Sequence, residues 1–496
     1  MAEHSLILII VIPLMASCFN ILLGLFRRGF CYPLVIATLS LCVILSIFIM
    51  DGVINNGVIH YRLGGWAPPW GIEYVVDHLN AFVMTIISFI SLFVAVYSKR
   101  SVEAELPGRT VYFYTVFLLL VTGLLGITVT GDVFNLYVFL EITSLAGYAL
   151  IAIGRDKAPL ASFNYLIMGT IGACFYLLGV GYLYIATGSL NMADLGRLLP
   201  DLYHSKVVLV AFAFFAVGVA IKMALFPLHV WLPDAYTYAP STVSALAAST
   251  MTKVGVYVMI RIMFTVFKPN FSAEMLPVTE ILGWVASGAM IFGCILAIAQ
   301  TDVKRMLSYI LIAEVGYIVI GVSVTNRMGF TGALLHILFD AFMMACLFMV
   351  AGVVMHKTGK TSIHGFRQLH RRMPITMAAF TIAALSVIGV PPTAGFFSKW
   401  YLVLGAIYAR KWIFAGMLLL SSLLAVVAFF RVIENIYFAP SCHAHDRVGQ
   451  EGIVRDEAPL SMLVPLLTMA AGILILGFFS GKIVSAVIQF TVPEGF

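Results

Sequence analysis

Apolar runs of about twenty residues, each closed by a short polar or Gly/Pro-rich stretch, recur along all 496 residues of the chain. Twenty helical residues rise ~30 Å, the thickness of a bilayer's hydrocarbon core. About fourteen such runs can be marked, near 5–25, 31–50, 78–98, 110–130, 132–153, 161–187, 206–227, 241–264, 277–300, 303–324, 329–355, 373–404, 412–438 and 460–486. The pattern predicts an all-α polytopic membrane protein of about 14 transmembrane helices. The longest connections, about 51–76, 188–205 and 439–459, are too short for a soluble domain. In the first, the Gly and Pro clusters of LGGWAPPWG read as turns of a small hairpin. The second, SLNMADLGRLLPDL, reads as an amphipathic surface helix.

One run breaks the apolar pattern. Between Val207 and Ala239, Lys222 follows some fifteen apolar residues, and Pro227 stands five residues later. A charge at the bilayer centre costs at least ~2.5–3.5 kcal/mol, so it faces a bundle interior or a water path. Proline removes a backbone donor and clashes with the preceding turn, so the helix should break beside the lysine. The twelfth run repeats the arrangement with Lys399 after Pro391 and Pro392. Glu141 and Glu314 lie 173 residues apart, Lys222 and Lys399 177 apart. Two five-span units, each with an acidic helix and a Pro-broken lysine helix, is a pattern of transporter repeats. An offset of five spans makes the two units inverted.

Composition agrees: 61% of residues are hydrophobic and 10% charged, against about a quarter charged in soluble proteins. The start, MAEHS, lacks a basic segment and is expected to lead into a retained span. Lys and Arg fall unevenly on the connections. Sixteen, among them Lys304, Arg372, Arg447 and Arg455, lie on one side and 8 on the side of the termini. The positive-inside rule then places both termini outside, in a prokaryotic cell membrane. The seven cysteines (18, 31, 42, 174, 294, 346 and 442) are scattered and indicate neither a disulfide framework nor a metal site.

The remaining charges in apolar runs carry the candidate chemistry. Glu141, Glu314, Asp340 and Glu434, with Lys222, Lys253, Lys399 and His336, form an ionisable series through seven spans. Proton conduction needs titratable groups and water, and the lysines favour protons over sodium. Glu141 and Lys222 are expected to pair. Lys253 is placed to relay between Lys222 and the second unit. His336, Asp340 and Met344, at i, i+4 and i+8, share a helix face, and an unperturbed histidine titrates near neutral pH, which suits a central relay. His229 follows the break, Asp234 is expected to cap the connection, and Arg431 and Glu434, three apart, are expected to neutralise each other. GKTS at 359–362 lacks the first glycine of a P-loop, since position 354 is valine. No nucleophile–base or metal constellation, and hence no catalytic site or cofactor, is expected in this chain.

The motifs KMALFPLHVWLPDAY, TKVGVY, DVKRMLSY and GVPPTAGFFSKW resemble the antiporter-like subunits shared by respiratory complex I, membrane-bound hydrogenases and Mrp-type cation/proton antiporters. Within these, LGGWAPPWGI, TGDVFNLYVFLEI and TKVGVY look most like the D subunits of Mrp antiporters. The resemblance implies 14 helices with inverted units at spans 4–8 and 9–13. Taken with the spans, it divides the chain into 1–109 (three helices), 110–264, 265–438 and 439–496. It also implies a proton path through Glu141, Lys222, Lys253, His336 and Lys399. Many relatives read HxxxHAxxKA where this chain has HILFDAFMMA, so Asp340 replaces a histidine and Met344 a lysine; Glu314 replaces a common glutamine or histidine. The implied function is a proton-translocating subunit of a monovalent cation/proton antiporter. Its implied partners are other membrane subunits, the bilayer and protons, with sodium as a further ion and no nucleic acid. A subunit of a hydrogenase-like or complex I-like assembly and a non-conducting structural subunit remain open.

Overall fold

The computed structural model describes residues 2–275, 277–439 and 455–493; Arg447 and Cys442 lie outside them. The helices are α1 (Ala2–Phe26), α2 (Cys31–Asn56), α3 (His78–Glu105), α4 (Thr110–Val129), α5 (Val133–Ala152), α6 (Ala158–Thr187) and α7 (Met192–Leu198). They continue with α8 (Lys206–Lys222), α9 (Trp231–Tyr238), α10 (Ser241–Arg261), α11 (Val278–Ile298), α12 (Val303–Ser323) and α13 (Arg327–Thr358). The last are α14 (Leu369–Arg372), α15 (Pro374–Ile388), α16 (Ala394–Tyr408), α17 (Trp412–Tyr437), α18 (Leu460–Phe478) and α19 (Ser480–Ala486). Among the described residues, twelve helices are long and apolar enough to cross a membrane. The protein is an all-α, multi-pass membrane protein.

The structure divides both runs that pair a lysine with prolines. α8 stops at Lys222, and helix resumes only at Trp231. The Ile221 carbonyl, at the end of α8, accepts the indole N–H of Trp231 at 3.1 Å, so the break leaves this buried group satisfied. α15 stops at Ile388, where Gly389 takes a left-handed conformation (φ 95°), and α16 begins after Pro391–Pro392. The run expected at 460–486 is also divided, at Phe479 between α18 and α19.

The predicted hairpin is present. β1 (Ile59–Arg62) and β2 (Glu73–Val76) pair antiparallel, Ile59 opposite Val76 and Arg62 opposite Glu73. The segment 188–205 holds a short helix, α7, capped by Asn191 through the amides of Ala193 and Asp194.

α13, 32 residues long, forms the centre, and α10 and α12 flank it with nearly every residue covered. α1, α2, α6 and α17 turn large apolar side chains outward, as a lipid- or subunit-facing layer does. Ionisable groups on α10, α12 and α13 are therefore enclosed by protein, and their spacing is set by helix packing.

One local construction occurs twice. Asp132 caps α5 and Asp302 caps α12. Val133 N–H donates to the Leu190 carbonyl, and Val303 N–H to that of Thr361, each at 2.9 Å. Left-handed Gly188 and Gly359 end α6 and α13. The two copies point opposite ways. Thr128, just before α5, meets Asn80 and Tyr257 near the end of α10, whereas Lys304, in the first turn of α12, donates to the Ala239 carbonyl just before α10 begins.

Candidate functional site

The break after α8 leaves Lys222 at a helix end inside the bundle. Its Nζ donates to Glu141 Oε1 at 3.0 Å and to Ser144 Oγ at 2.7 Å. Ser144 lies three residues after Glu141, so one face of α5 supplies both partners. The lysine side chain is 6% exposed and the carboxylate 25%, so Glu141 lies at the rim and Lys222 behind it. The expected pair is formed.

The residue after Lys222, Met223, packs directly against α10. A Cβ on Gly255 would lie 2.8 Å from the Cβ of Met223, so only glycine lets the segment after Lys222 close on the helix carrying Lys253. Gly255→Ala is expected to destabilise the protein by ~1–3 kcal/mol through this overlap, measured as a lower melting temperature of the purified complex.

Lys253 is buried in the middle of α10, eight residues before its C-terminal Arg261. Its Nζ donates to the Ala248 carbonyl at 2.7 Å and forms an ion pair with Asp340 of α13. This corrects the expectation from the shared face of His336 and Asp340. Asp340 reaches across to α10, and His336 turns to α12 and α16. His336 Nε2 lies 2.9 Å from Glu314 Oε2, close enough for an ion pair but without hydrogen-bond alignment. Its Nδ1 lies 2.9 Å from Ser398 Oγ. All four side chains are at most 2% exposed.

Lys399 completes the row. Its Nζ lies 3.8 Å from Glu314 Oε1, 4.0 Å from the centre of the Tyr317 ring, and donates to the Val387 carbonyl at 2.5 Å, one residue before α15 ends. A carboxylate, a ring face and a carbonyl near the helix break thus surround the Lys399 Nζ. Glu314, a secondary candidate by sequence, thus joins His336 to Lys399. Met344 is fully buried and carries no proton.

The other candidates lie apart. His229 is buried in the break and stacks on Phe226, 5.4 Å between ring centres, with Nδ1 lacking a hydrogen-bond partner among the described residues. Arg431 does not turn to Glu434: its guanidinium donates to the carbonyl of Ile298, at the end of the facing helix α11, and Glu434 is exposed. Asp234 pairs with Arg305 at 3.2 Å, across to α12, in place of the expected cap. Sequence reasoning passed over Arg261, which pairs with Asp77 at the far end of α10; its only sequence signal was a basic residue closing an apolar run. Among the described residues, no group of three or more His, Cys, Asp or Glu side chains is arranged to hold a metal ion.

Residues 130–425, from the cap of α5 through Lys399 into α17, match the family described as NADH:quinone oxidoreductase/Mrp antiporter, TM. The chain belongs to this family. Among family relatives it is similar to the NADH-quinone oxidoreductase N subunit of Desulforudis audaxviator, 47% identical over 99% of both chains. It is also similar to the Na(+)/H(+) antiporter D subunit of Alkalihalophilus pseudofirmus, 31% identical over 96% of this chain and 94% of that one. Among solved structures it is similar to a chain of the membrane-bound sulfane sulfur reductase, an archaeal respiratory membrane complex. That match has a TM-score of 0.89 and 31% identity, covering 98% of this chain and 96% of the other.

Proposed function

We propose that this chain is a proton-translocating membrane subunit of a multisubunit Mrp-type monovalent cation/proton antiporter. The observation that carries the reading is the row of buried charges Glu141–Lys222, Lys253–Asp340 and His336–Glu314–Lys399, on helices packed in sequence through the bundle. A purely structural subunit has no use for so many. Buried ion pairs are often no more stabilising than apolar residues of the same volume, so their number here points to transfer. Breaking a pair frees its lysine to release a proton to water, and re-forming the pair favours rebinding. The likeness to the antiporter D subunit supports the cation-coupled form.

In this reading two inverted units, 110–264 and 265–438, each supply an acidic helix and a broken lysine helix, with 1–109 and 439–496 outside them. The twice-built cap and bridge support the division. The excess of Lys and Arg on the side opposite the termini supports both termini outside. Glu141 at the rim faces the neighbouring subunits that such an assembly requires.

A second reading is favoured by the 47% identity to a subunit named for NADH-quinone oxidoreduction: the same row moving protons in a redox-driven complex. Everted membrane vesicles from a host lacking sodium/proton antiporters, expressing the chain with its neighbouring genes, separate the two. Added sodium is expected to collapse a respiration-generated pH gradient, and Lys399→Met to remove the response. Proton movement that follows quinone reduction and ignores sodium supports the second reading. Wild-type proton movement in Lys399→Met overturns both.

A further inference from the structure

α10 carries a second polar file that shares only Lys253 with the row above. Lys253, Tyr257 and Arg261 stand at i, i+4 and i+8, one above another along ~12 Å of a single helix face. The Tyr257 hydroxyl donates to the Thr128 carbonyl at 3.2 Å and accepts from Arg261 Nε at 3.2 Å. Arg261 Nη2 pairs with Asp77 at 2.5 Å and also reaches the Asn80 side-chain oxygen. The file thus runs from the central Lys253–Asp340 pair to an ion pair at the end of α10.

Beyond that ion pair the protein opens. A cavity of about 530 Å³ is lined by Asp77, His78, Arg261, Lys268 and Asn270, and a smaller one of about 80 Å³ shares Asp77 and Arg261. The larger has room for on the order of ten waters. Inward of the ion pair, the hydroxyls of Ser88, Ser91 and Thr252 are fully buried and have no hydrogen-bond partner among the described residues. α3 runs antiparallel to α10, with Asp77 meeting Arg261 at one end and Glu105 accepting from Ser241 N–H at 3.0 Å at the other. Ser88 and Ser91, at the middle of α3, therefore lie at about the level of Lys253. Orphaned hydroxyls in a polar interior are sites for bridging water.

We propose that Lys253, Tyr257 and Arg261 line a second proton passage, from the Lys253–Asp340 pair to the open cavity, with the Arg261–Asp77 pair as its closed gate. The proposal rests on the proton-relay reading above. A fixed guanidinium at the neck repels hydronium and sodium alike, so the closed passage holds a gradient. When the guanidinium leaves Asp77, cavity water joins the water beside Ser88, Ser91 and Thr252. Lys253 as the amine then takes a proton from that file, and as the ammonium gives one up to it.

The test uses vesicles carrying the whole complex, with no driving cation or reductant, and follows the decay of an imposed pH step. Arg261→Gln, which leaves in place the cap bonds that Asp77 accepts from the Leu79 and Asn80 amides, is expected to speed the decay about tenfold or more, the effect of lowering a barrier by ~1.4 kcal/mol. Asp77→Asn should do the same, and Arg261→Lys, which keeps the charge, should fall between. Adding Lys253→Met to Arg261→Gln is expected to restore the wild-type rate, because the passage ends at that amine. A leak from disrupted packing would survive Lys253→Met, and that result overturns the proposal, as does wild-type decay in both Arg261 variants. If Lys399→Met abolishes coupled transport while the Arg261 variants hold the gradient, only the passage falls; if Lys399→Met transports normally, the relay reading itself falls.

Discussion

Glu141→Gln and Lys222→Met are each expected to abolish coupled proton transport, with flux at least ~10²-fold below wild type, the scale of a lost proton-transfer group. The two groups touch at 3.0 Å, and the lysine is enclosed at the end of a broken helix. Removing one partner of a buried pair leaves the other uncompensated and costs ~3–5 kcal/mol, so each single variant is also expected to assemble less well. The double variant Glu141→Gln/Lys222→Met removes both charges and should recover much of that stability, because neighbouring sites of one pair are not additive. Transport should stay absent in the double variant. Sodium-dependent collapse of the pH gradient in everted vesicles, beside a native gel of the complex, separates the effects. Transport that returns with assembly would show that the pair is a packing device.

The elements that could be read from sequence are those whose cause is local. Proline next to an intramembrane lysine announces a broken helix whatever its surroundings, and both breaks fall where Pro227 and Pro391–Pro392 put them. Gly and Pro clusters announced the hairpin of β1 and β2 for the same reason. Partner choice across helices was not local. His336 and Asp340 share a face of α13 in sequence terms, but α13 is enclosed on every side. One helical turn there separates a neighbour on α12 from a neighbour on α10, so Asp340 meets Lys253 and His336 meets Glu314. Arg431 likewise passed over Glu434, one turn away, for the carbonyl of Ile298 at the end of α11. Glu314 looked secondary because only its substitution pattern was visible; packing of α12 against α13 and α16 gives it its position.

That position makes Glu314→Gln the variant expected to act most strongly in the second unit. Glu314 is the carboxylate that approaches both His336, at 2.9 Å, and Lys399, at 3.8 Å. Met344, one turn beyond Asp340, offers only a weakly accepting thioether. Without the Glu314 charge, Lys399 keeps the Val387 carbonyl and the Tyr317 ring, so the ammonium is held but has no titrating partner. Transport is expected to fall by ~10²-fold or more, while His336→Gln, which leaves Glu314 facing Lys399, should retain part of it. Asp340→Asn acts earlier, by leaving Lys253 without its carboxylate, and is expected to impair transport whatever happens at His336. Met344→Lys puts a further ammonium on the helix carrying Asp340 and should be tolerated with a changed pH profile. Transport measured against pH in these four variants orders the row. If Glu314→Gln keeps wild-type flux while Asp340→Asn is inactive, the proton leaves at α13, and Lys399 serves the fold of the second broken helix and not the passage of charge.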